Sequence, residues 1–488
     1  MAAGRIRRAN RWTGDGAWGK LWGMRRWRGL SAAGAAFLGV AAVGAAARPN
    51  VLFINIDDLR TDLGCYGHPV VKTPHMDRLA ARGMRFDGAY VQATFCNPSR
   101  SSFLTGLRPG ATRVLNNTDH FRDNLPDVVT LPQLFRQSGY HTYRLGKIYH
   151  GAGEMEDPKS WDVAEYPKGT PLGKEKHEGR NLTGGALKWC TWASAKGGDE
   201  DQPDGEIAAR AAAFLGRRHE KPFFLAAGFH KPHDPFVAPK AYFDLYPRDS
   251  LQLHRDPPGA SPTPEHQIGG GFKKAFDAFS DGERLEFQRA YHACTTFVDA
   301  QIGKVLDAVE QNGLGQSTLI FLLSDHGYHL GERGWWNKST LYEYSCRSPL
   351  LVYAPGKRGM GKPCARLVEF VDVYPTLVEL CGLRAPGGLH GKSFAPLLED
   401  PTRPWKEGAF SQIQRGKVMG RTVRTERWRY VEWEDGADPE LFDHDADPGE
   451  WRNLAADPRQ AGTVQRLSAM LRSEERRVGK ECRSRRSP

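Results

Sequence analysis

The sequence has few of the features that would place it outside the large globular proteins. It contains 8 cysteines in 488 residues, and no two of them are spaced as C-x-x-C. This low density excludes a small disulfide-stapled scaffold, and the missing C-x-x-C pairs argue against a zinc ribbon. Hydrophobic residues make up 40% of the chain and charged residues 26%. A disordered or fibrous chain is therefore excluded as well.

The body of the chain also lacks a basic excess. The formal net charge is +11, but residues 1–29 carry +7 and residues 472–488 carry +4. Residues 30–471 are therefore neutral overall, and they offer no electrostatic footprint for a nucleic acid. We predict no nucleic-acid partner.

A long, strongly apolar run is missing too. Residues 32–47 are mostly Ala and Gly, and they fall short of the ~20 apolar residues of a membrane span. The basic stretch from Met24 precedes them, and Ala45-Ala46-Ala47 fits an A-x-A cleavage site. We predict a signal peptide over 1–47, starting at Met1 or Met24, and export to the periplasm or the medium by the export machinery. A transmembrane anchor is the alternative.

Apolar runs predict the main fold. Runs at 51–56, 141–145, 223–228 and 318–323 read as buried strands. Helical patterns lie between or beside them, at 130–138, 206–218 and 287–311. This alternation predicts an α/β fold with a large, mostly parallel mixed sheet and helices on both faces. The Pro- and Gly-rich stretches at 151–205 and 247–271 are predicted to be long surface loops.

The pattern of apolar residues changes near residue 400. Runs at 418–423 and 428–433 predict antiparallel strands, and 464–471 predicts a short helix. We therefore divide the chain into a catalytic domain over 48–399 and a small C-terminal subdomain over 400–471. Residues 472–488 have no apolar period, and we expect a non-native or disordered tail there. A genuine basic tail is the alternative.

Polar residues follow each of the four predicted strands. Ligands of open α/β sheets gather at the carboxyl ends of the strands. Each of these residues alone is also typical of a turn, a helix cap or a solvated surface. Together they predict a metal or catalytic site at this edge of the sheet. The residues are Asp57, Asp58, Lys147, His150, His230, Asp325 and His326.

The most specific motif lies between the first two of these strands. It reads Cys96-Asn97-Pro98-Ser99-Arg100 and is followed by Leu104-Thr105-Gly106. A buried cysteine before a helix capped by Ser99 is the alternative interpretation. The motif resembles the signature of the type I sulfatases, the formylglycine-dependent enzymes of the alkaline phosphatase superfamily. The flanks at 55–60, 146–150, 228–233 and 324–332 resemble the iduronate-2-sulfatase branch, and 440–454 resembles the sulfatase C-terminal subdomain.

The resemblance implies a modified residue and a metal. Cys96 would be oxidised to formylglycine (3-oxoalanine) by a formylglycine-generating maturation enzyme. One Ca²⁺ per chain would be held by Asp57, Asp58, Cys96, Asp325 and His326. Carboxylate oxygens suit a hard cation, whereas a His ligand is less typical of calcium. The identity of the metal therefore comes from the family, and magnesium stays open.

The resemblance also implies roles for the charged residues. Lys147, His230 and Lys338 would surround an anionic sulfate monoester with positive charge. Asp325 would accept the proton of the attacking hydroxyl, and Arg100 would hold the hydrated aldehyde. His150 would be the base that releases sulfate, and His230 or Lys338 the acid for the leaving oxygen. The implied substrate is a sulfated carbohydrate, such as iduronate 2-sulfate or another sulfated polysaccharide residue.

Two other functions remain open at this point. A phosphonate monoester or phosphodiester hydrolase of the same superfamily would share the Cys96 motif and the charged pocket. A secreted glycan-binding pseudoenzyme would result if Cys96 were never oxidised. Comparing the rates on an aryl sulfate and a phosphate diester distinguishes the first alternative from a sulfatase. The chemical state of residue 96 distinguishes the second.

Overall fold

A large sheet determines where the polar residues that follow the predicted strands lie. The computed structural model describes residues 48–151, 155–167, 176–268, 271–434 and 436–484, so the predicted signal peptide lies outside the described residues. The strands are β1 (Asn50–Ile56), β2 (Met84–Tyr90), β3 (His141–Gly146), β4 (Val163–Glu165), β5 (Lys176–Asn181), β6 (Thr191–Ala195), β7 (Phe223–Phe229), β8 (Phe236–Pro239), β9 (Thr318–Ser324), β10 (Leu350–Tyr353), β11 (Pro363–Glu369), β12 (Ala409–Arg415), β13 (Val418–Arg424), β14 (Trp428–Trp433) and β15 (Ala437–Asp443).

Eight of these strands form the main sheet, in the order β11-β2-β10-β9-β1-β7-β3-β4. Strand β10 runs antiparallel to both of its neighbours, and the other pairs are parallel. The predicted mixed, mostly parallel sheet is confirmed. Because β9, β1, β7 and β3 are parallel neighbours, their carboxyl ends meet at one edge of the sheet.

Helices cover both faces of the main sheet, as predicted. The predicted helices at 130–138, 206–218 and 287–311 correspond to α5, α6 and α9. In chain order the helices are α1 (Pro74–Arg82), α2 (Cys96–Thr105), α3 (Pro109–Thr112), α4 (Phe121–Asn124), α5 (Leu131–Gln137), α6 (Pro203–Leu215), α7 (Lys240–Asp244), α8 (Phe272–Asp277), α9 (Asp281–Gln311), α10 (Glu343–Cys346), α11 (Val373–Leu380), α12 (Ala395–Glu399) and α13 (Ala461–Ser484). In the part of the chain that the structure describes, no helix is both long and apolar enough to cross a membrane.

Strand β1 shows why its sequence is apolar without alternation. Val51 and Phe53 face one core, where Phe103 of α2 packs. Leu52 and Ile54 face the opposite core, together with residues of α1, α6 and α9. Successive side chains of a strand point to opposite faces. A strand covered by helices on both faces therefore needs apolar residues at every position.

A second, three-stranded sheet takes two of its strands, β5 and β6, from a region that we predicted to be a surface loop. Strand β6 pairs antiparallel with β5 and parallel with β8. The loop prediction over 151–205 is therefore wrong for β4, β5 and β6. Strand β5 reads KHEGRN and is mostly exposed, so it has no apolar alternation by which a strand can be detected.

The C-terminal region forms the predicted antiparallel sheet, in the order β12-β13-β14-β15. Helix α13 packs on it through Leu467 and Leu471. This helix continues to Ser484, and Glu474 forms an ion pair with Arg108. The described part of this stretch is therefore helical, and a disordered or non-native tail over 472–488 stays a prediction.

The C-terminal sheet contacts the segment that leads into α2. Gln412 N–H donates to the Gln92 carbonyl at 3.0 Å, and Ser411 Oγ donates to the Val91 carbonyl at 2.5 Å. Farther along the sheet, buried Arg429 donates to Glu343 of α10 at 2.5 Å. The described residues from Arg48 onward pack as one unit. The two predicted domains are thus joined next to Cys96.

Candidate active site

Cys96 is the first residue of helix α2, and every residue of that helix is buried. The side chain of Cys96 is only 1% exposed. The helix ends at Gly106, whose φ of 69° lies in the left-handed region that favours glycine. Because a helix N-terminus carries a partial positive charge, α2 favours an anionic group at residue 96.

Three polar side chains surround the sulfur of Cys96. His326 Nε2 and Lys338 Nζ each lie 3.2 Å from Sγ, and Asp58 Oδ1 lies at 3.9 Å. Lys338 Nζ also donates to both carboxylate oxygens of Asp58, at 2.6 and 2.8 Å. The structure thus brings three of the predicted residues, from three separate segments, to the predicted modification site.

Arg100 lies about one helical turn after Cys96 and organises the carboxylates. Its Nη2 donates to Asp57 Oδ1 at 2.8 Å, and its Nε donates to Asp325 Oδ2 at 2.9 Å. Its Nη1 donates to the carbonyl of Lys147 at 2.7 Å. The guanidinium is fully buried, and these contacts show it positioning two aspartates and the end of β3.

The charges in this buried site shift several pKa values. Burial opposes ionisation of Asp57, but Lys147, whose Nζ lies 2.5 Å from Asp57 Oδ2, together with His233, Arg100 and Lys338 outweighs burial and holds the pKa of Asp57 well below its ordinary value. Burial likewise raises the pKa of the Cys96 thiol, but Lys338 and Lys147 bring it well below normal. Burial raises the pKa of Asp325 to about 7, against the effect of Arg100.

The same residues fit a divalent cation. Ligand atoms of Asp58, Cys96, Asp325 and His326 lie within 4.8 Å of one another, and all four residues are buried. Asp57 belongs to an overlapping group with Asp58 and His233. A set rich in carboxylate oxygens suits a hard cation. Asp58 has a φ of 62°, a strained value that is typical of functional sites.

A cavity of about 610 Å³ opens beside Asp57 and Lys147. His150 and His230 line it, and we find no contact between either ring and Cys96 among the described residues. Burial lowers the pKa of His230 to about 3, so its ring is neutral, and it packs edge-on against Tyr166 at 5.3 Å. The lining also includes Asn117, Pro167, Gln202, Pro203, Asp204, Lys231, His233, Asp234, Pro235 and Phe297.

Sequence reasoning missed several of these residues. His233 is not among the predicted site residues, yet its Nε2 lies 3.9 Å from Asp57 Oδ2 and 4.0 Å from Asp58 Oδ2. Its place three residues after His230 was the available signal. Tyr166 and Gln202 come from the region predicted as loop, where no periodicity or motif marks a functional residue.

Comparison with known families now adds to this geometry. The family model described as "Sulfatase" matches residues 49–383. The chain belongs to the sulfatase family. A second model, described as "N-sulphoglucosamine sulphohydrolase, C-terminal", matches residues 331–477 of this sulfatase. The resemblance drawn from the Cys96 motif is confirmed.

The curated relatives of this sulfatase span nearly the whole chain. A protein named sulfatase from Formosa agariphila is 32% identical over 456 residues, covering 87% of this chain and 86% of that protein. The iduronate 2-sulfatase of Mus musculus is 30% identical over 516 residues, covering 86% of this chain and 93% of that protein. The chain is similar to sulfatases with several different names, including arylsulfatase and choline-sulfatase.

Solved structures share the fold of this sulfatase. The structure of BT4656 with its substrate D-glucosamine-2-N,6-O-disulfate has a TM-score of 0.71 at 22% identity, covering 89% of this chain and 98% of that one. A phosphonate monoester hydrolase from Silicibacter pomeroyi has a TM-score of 0.73 at 25% identity, covering 88% and 96%. The fold prediction, an alkaline phosphatase-like α/β architecture, is confirmed.

Proposed function

We propose that this sulfatase is an exported enzyme that hydrolyses sulfate monoesters of a carbohydrate, with iduronate 2-sulfate or another sulfated polysaccharide residue as substrate. The observation that carries the proposal is the convergence of His326, Lys338 and Asp58 on buried Cys96. The relatives named iduronate 2-sulfatase support the choice of sugar. Export rests on the predicted signal peptide.

The cations of the site suit an anionic substrate. Lys147 and Lys338 are buried, and burial alone would lower the pKa of each. The surrounding acidic groups together outweigh burial and raise both pKa values, chiefly Asp57 and Cys96 for Lys147, and Asp58 and Cys96 for Lys338. Both lysines therefore stay charged near neutral pH. Preorganised positive charge in a buried site stabilises the developing charge of a sulfate transfer more than it would in water.

Two groups that the family implies complete the chemistry. Calcium held by Asp57, Asp58, Asp325 and His326 would supply a Lewis acid for the sulfate oxygens. Formylglycine at residue 96 would supply one hydroxyl to attack sulfur and a second whose deprotonation expels sulfate.

The remaining steps fall to the side chains of the chain itself. Asp325, oriented by Arg100, is the proposed acceptor for the nucleophile's proton. Lys338 is charged and contacts residue 96, so we assign the proton of the leaving oxygen to Lys338. Neutral His230 lines the cavity and would hydrogen-bond the substrate. His150, whose buried Nδ1 has no partner in the described structure, is the proposed base for sulfate release.

A phosphonate monoester hydrolase is the second candidate function. Structural neighbours of that activity match this chain with TM-scores of 0.72 and 0.73. The same buried cations would neutralise a phosphonate or a phosphate diester. The iduronate 2-sulfatases are 30% and 31% identical to this chain, against 22% and 25% for the phosphonate monoester hydrolases, and this difference favours the sulfatase activity.

One experiment tests both proposals together. Residues 48–488 are expressed with a formylglycine-generating enzyme, and the mass of the tryptic peptide 86–100 is measured. We expect an aldehyde in place of the thiol of Cys96. We also expect kcat/KM on 4-nitrophenyl sulfate to exceed that on a phenyl phosphonate monoester. Full activity with an intact thiol would overturn the nucleophile, and a higher rate on the phosphonate would favour the second candidate.

A further inference from the structure

Gln202 is an unusual member of the cavity wall. It comes directly before helix α6 and is 1% exposed. Its side chain lines the cavity that Lys147 and His230 also line. Both amide atoms, Nε2 and Oε1, are buried without a hydrogen-bond partner in the described part of the chain. A donor and an acceptor are thus both left unsatisfied on one side chain.

Another glutamine shows how the fold treats the same residue elsewhere. Gln267 is equally buried, but its Nε2 donates to Glu440 at 2.7 Å and its Oε1 accepts from the Leu341 N–H at 2.9 Å. Gln267 does not line the cavity. Because burying an amide without partners is unfavourable, Gln202 calls for a partner beyond the described residues, and a ligand in the cavity can supply one. The terminal torsion of glutamine is soft, so the amide can turn toward the cavity.

The chemistry of the amide selects the kind of partner. A carboxylate or sulfate can only accept, so it would satisfy Nε2 and leave Oε1 unpaired. A hydroxyl both donates and accepts, and two neighbouring hydroxyls satisfy both atoms of one amide. Tyr166 and Phe297 add an apolar surface for a sugar ring.

We propose that Gln202 is a specificity residue that binds two vicinal hydroxyls on the sugar ring bearing the sulfate ester. Nε2 donates to one hydroxyl, and Oε1 accepts from the other. The inference rests on the proposed sulfatase activity and deepens it. The site favours a ring with free neighbouring hydroxyls over an aryl sulfate, which has none.

A ratio of two rates tests this inference. Wild type, Gln202→Leu and the matched control Gln267→Leu are assayed on 4-nitrophenyl sulfate and on methyl glycosides of iduronate, glucosamine and galactose monosulfates. The measured quantity is kcat/KM on the best glycoside divided by kcat/KM on the aryl sulfate. We expect Gln202→Leu to lower this ratio about tenfold, mainly through KM, as the loss of one or two hydrogen bonds predicts. The ratio cancels the amount of folded enzyme, so Gln267→Leu should leave it unchanged.

Further measurements make the outcome decisive. On a deoxy glycoside that lacks one of the two vicinal hydroxyls, Gln202→Leu should have a smaller effect. The melting temperature should fall in Gln267→Leu, which loses two internal hydrogen bonds, and should not fall in Gln202→Leu. An unchanged rate ratio, or equal destabilisation by both substitutions, would overturn the role of Gln202. Absence of aryl sulfate turnover in wild type would instead count against the proposed function.

Discussion

The sulfur of Cys96 lies where opposite electrostatic effects meet. Burial favours the neutral thiol, whereas Lys338, Lys147 and His326 favour an anion at the same position. The cations prevail because they lie within a few ångströms in a site with little water. At Cys294, which is equally buried, burial prevails over the effect of Lys231 and raises the pKa to about 12. The environment of residue 96 is thus built for a negatively charged oxygen or sulfur.

Removing the group at residue 96 tests this view. Cys96→Ala should lower kcat on 4-nitrophenyl sulfate by more than about 10³-fold, the scale of losing a nucleophile. The melting temperature should change little. The control Cys294→Ala removes an equally buried thiol outside the site and should retain kcat. Substantial turnover by Cys96→Ala would show that another group attacks the ester.

The proposed cation site leads to a second prediction, on the melting temperature. Calcium should raise the melting temperature of the wild type, because a ligand that binds only the folded state stabilises it. Asp58→Asn removes a carboxylate charge from the proposed ligands and should abolish most of this shift. The control Asp62→Asn changes a residue of a separate group, which consists of Asp62, His68 and His292. This variant should keep the calcium-induced rise in melting temperature. An equal loss in both variants would place the ion elsewhere.

Glu332 predicts a dependence of stability on pH. Burial would raise the pKa of its carboxyl, but Arg60, at 2.8 Å and 3.1 Å, outweighs burial and lowers the pKa to about 2. A group whose pKa is lowered by folding stabilises the protein above its unfolded pKa, near 4.5, and loses that effect as pH falls toward 2. Glu332→Gln should therefore reduce the free energy of unfolding by about 3 kcal/mol at pH 6. Denaturant unfolding should show the difference shrinking below pH 4.5, and a constant difference would contradict the ion pair.

At the scale of elements, the long helix α9 illustrates how local sequence sets a boundary. Ser280 Oγ accepts from the Glu283 N–H at 3.3 Å, and the Glu283 carboxylate accepts from the Ser280 N–H at 2.9 Å. This capping box satisfies two groups that a helix start leaves unpaired. The helix then contributes to two cores, through Val298 and Ile302 on one and Phe287 on another.

Substitution of the cap measures its contribution. Ser280→Ala should lower the free energy of unfolding by about 1 kcal/mol, because one end of the capping box is lost. Ser280→Thr keeps a hydroxyl acceptor and should be close to wild type. Thermal or urea unfolding compares the three proteins. Equal stability of the Ala variant would mean that tertiary packing alone fixes the start of α9.

The elements also show how far sequence reasoning reaches. Strands β1, β7 and β9 were predictable because helices cover both faces and every position is apolar. Strand β2 (MRFDGAY) mixes charged and apolar residues and gave no such pattern. At the site, the motif around Cys96 and the strand ends indicated the charged residues. Gln202 and Tyr166 were not predictable, because only the packing of the region at 151–205 places them beside the cavity.

The whole molecule depends on buried ion pairs between the C-terminal sheet and the main domain. Arg429 is fully buried and pairs with Glu343 and Glu450. A buried pair stabilises little over an apolar replacement, but removing one partner leaves uncompensated charge. The contacts of β12 with Val91 and Gln92 lie near this network. The subdomain boundary predicted at residue 400 is therefore a change of sheet within one cooperative structure.

Arg429→Met tests this coupling. It should destabilise the protein by about 3 kcal/mol, since two buried glutamates lose their cation. Arg427→Met is the matched control, because Arg427 pairs with Asp443 at a more exposed position, where solvent screens an ion pair and it contributes little to stability. Thermal unfolding followed by circular dichroism should show a large and a small shift, respectively. Similar shifts would mean that the sheet is not anchored through Arg429.

The burial of Cys96 also limits when this residue is accessible to another protein. The proposed maturation enzyme would have to reach residue 96, yet in the folded chain Cys96 is 1% exposed. The segment just before it is held by Ser411, which lies 320 residues downstream of Val91. At a synthesis rate of about 5–20 residues per second, this partner is made about 16–64 s after Val91. The proposed modification would therefore have to occur before this contact forms. Slower elongation lengthens that interval and should raise the proposed aldehyde content of the purified enzyme.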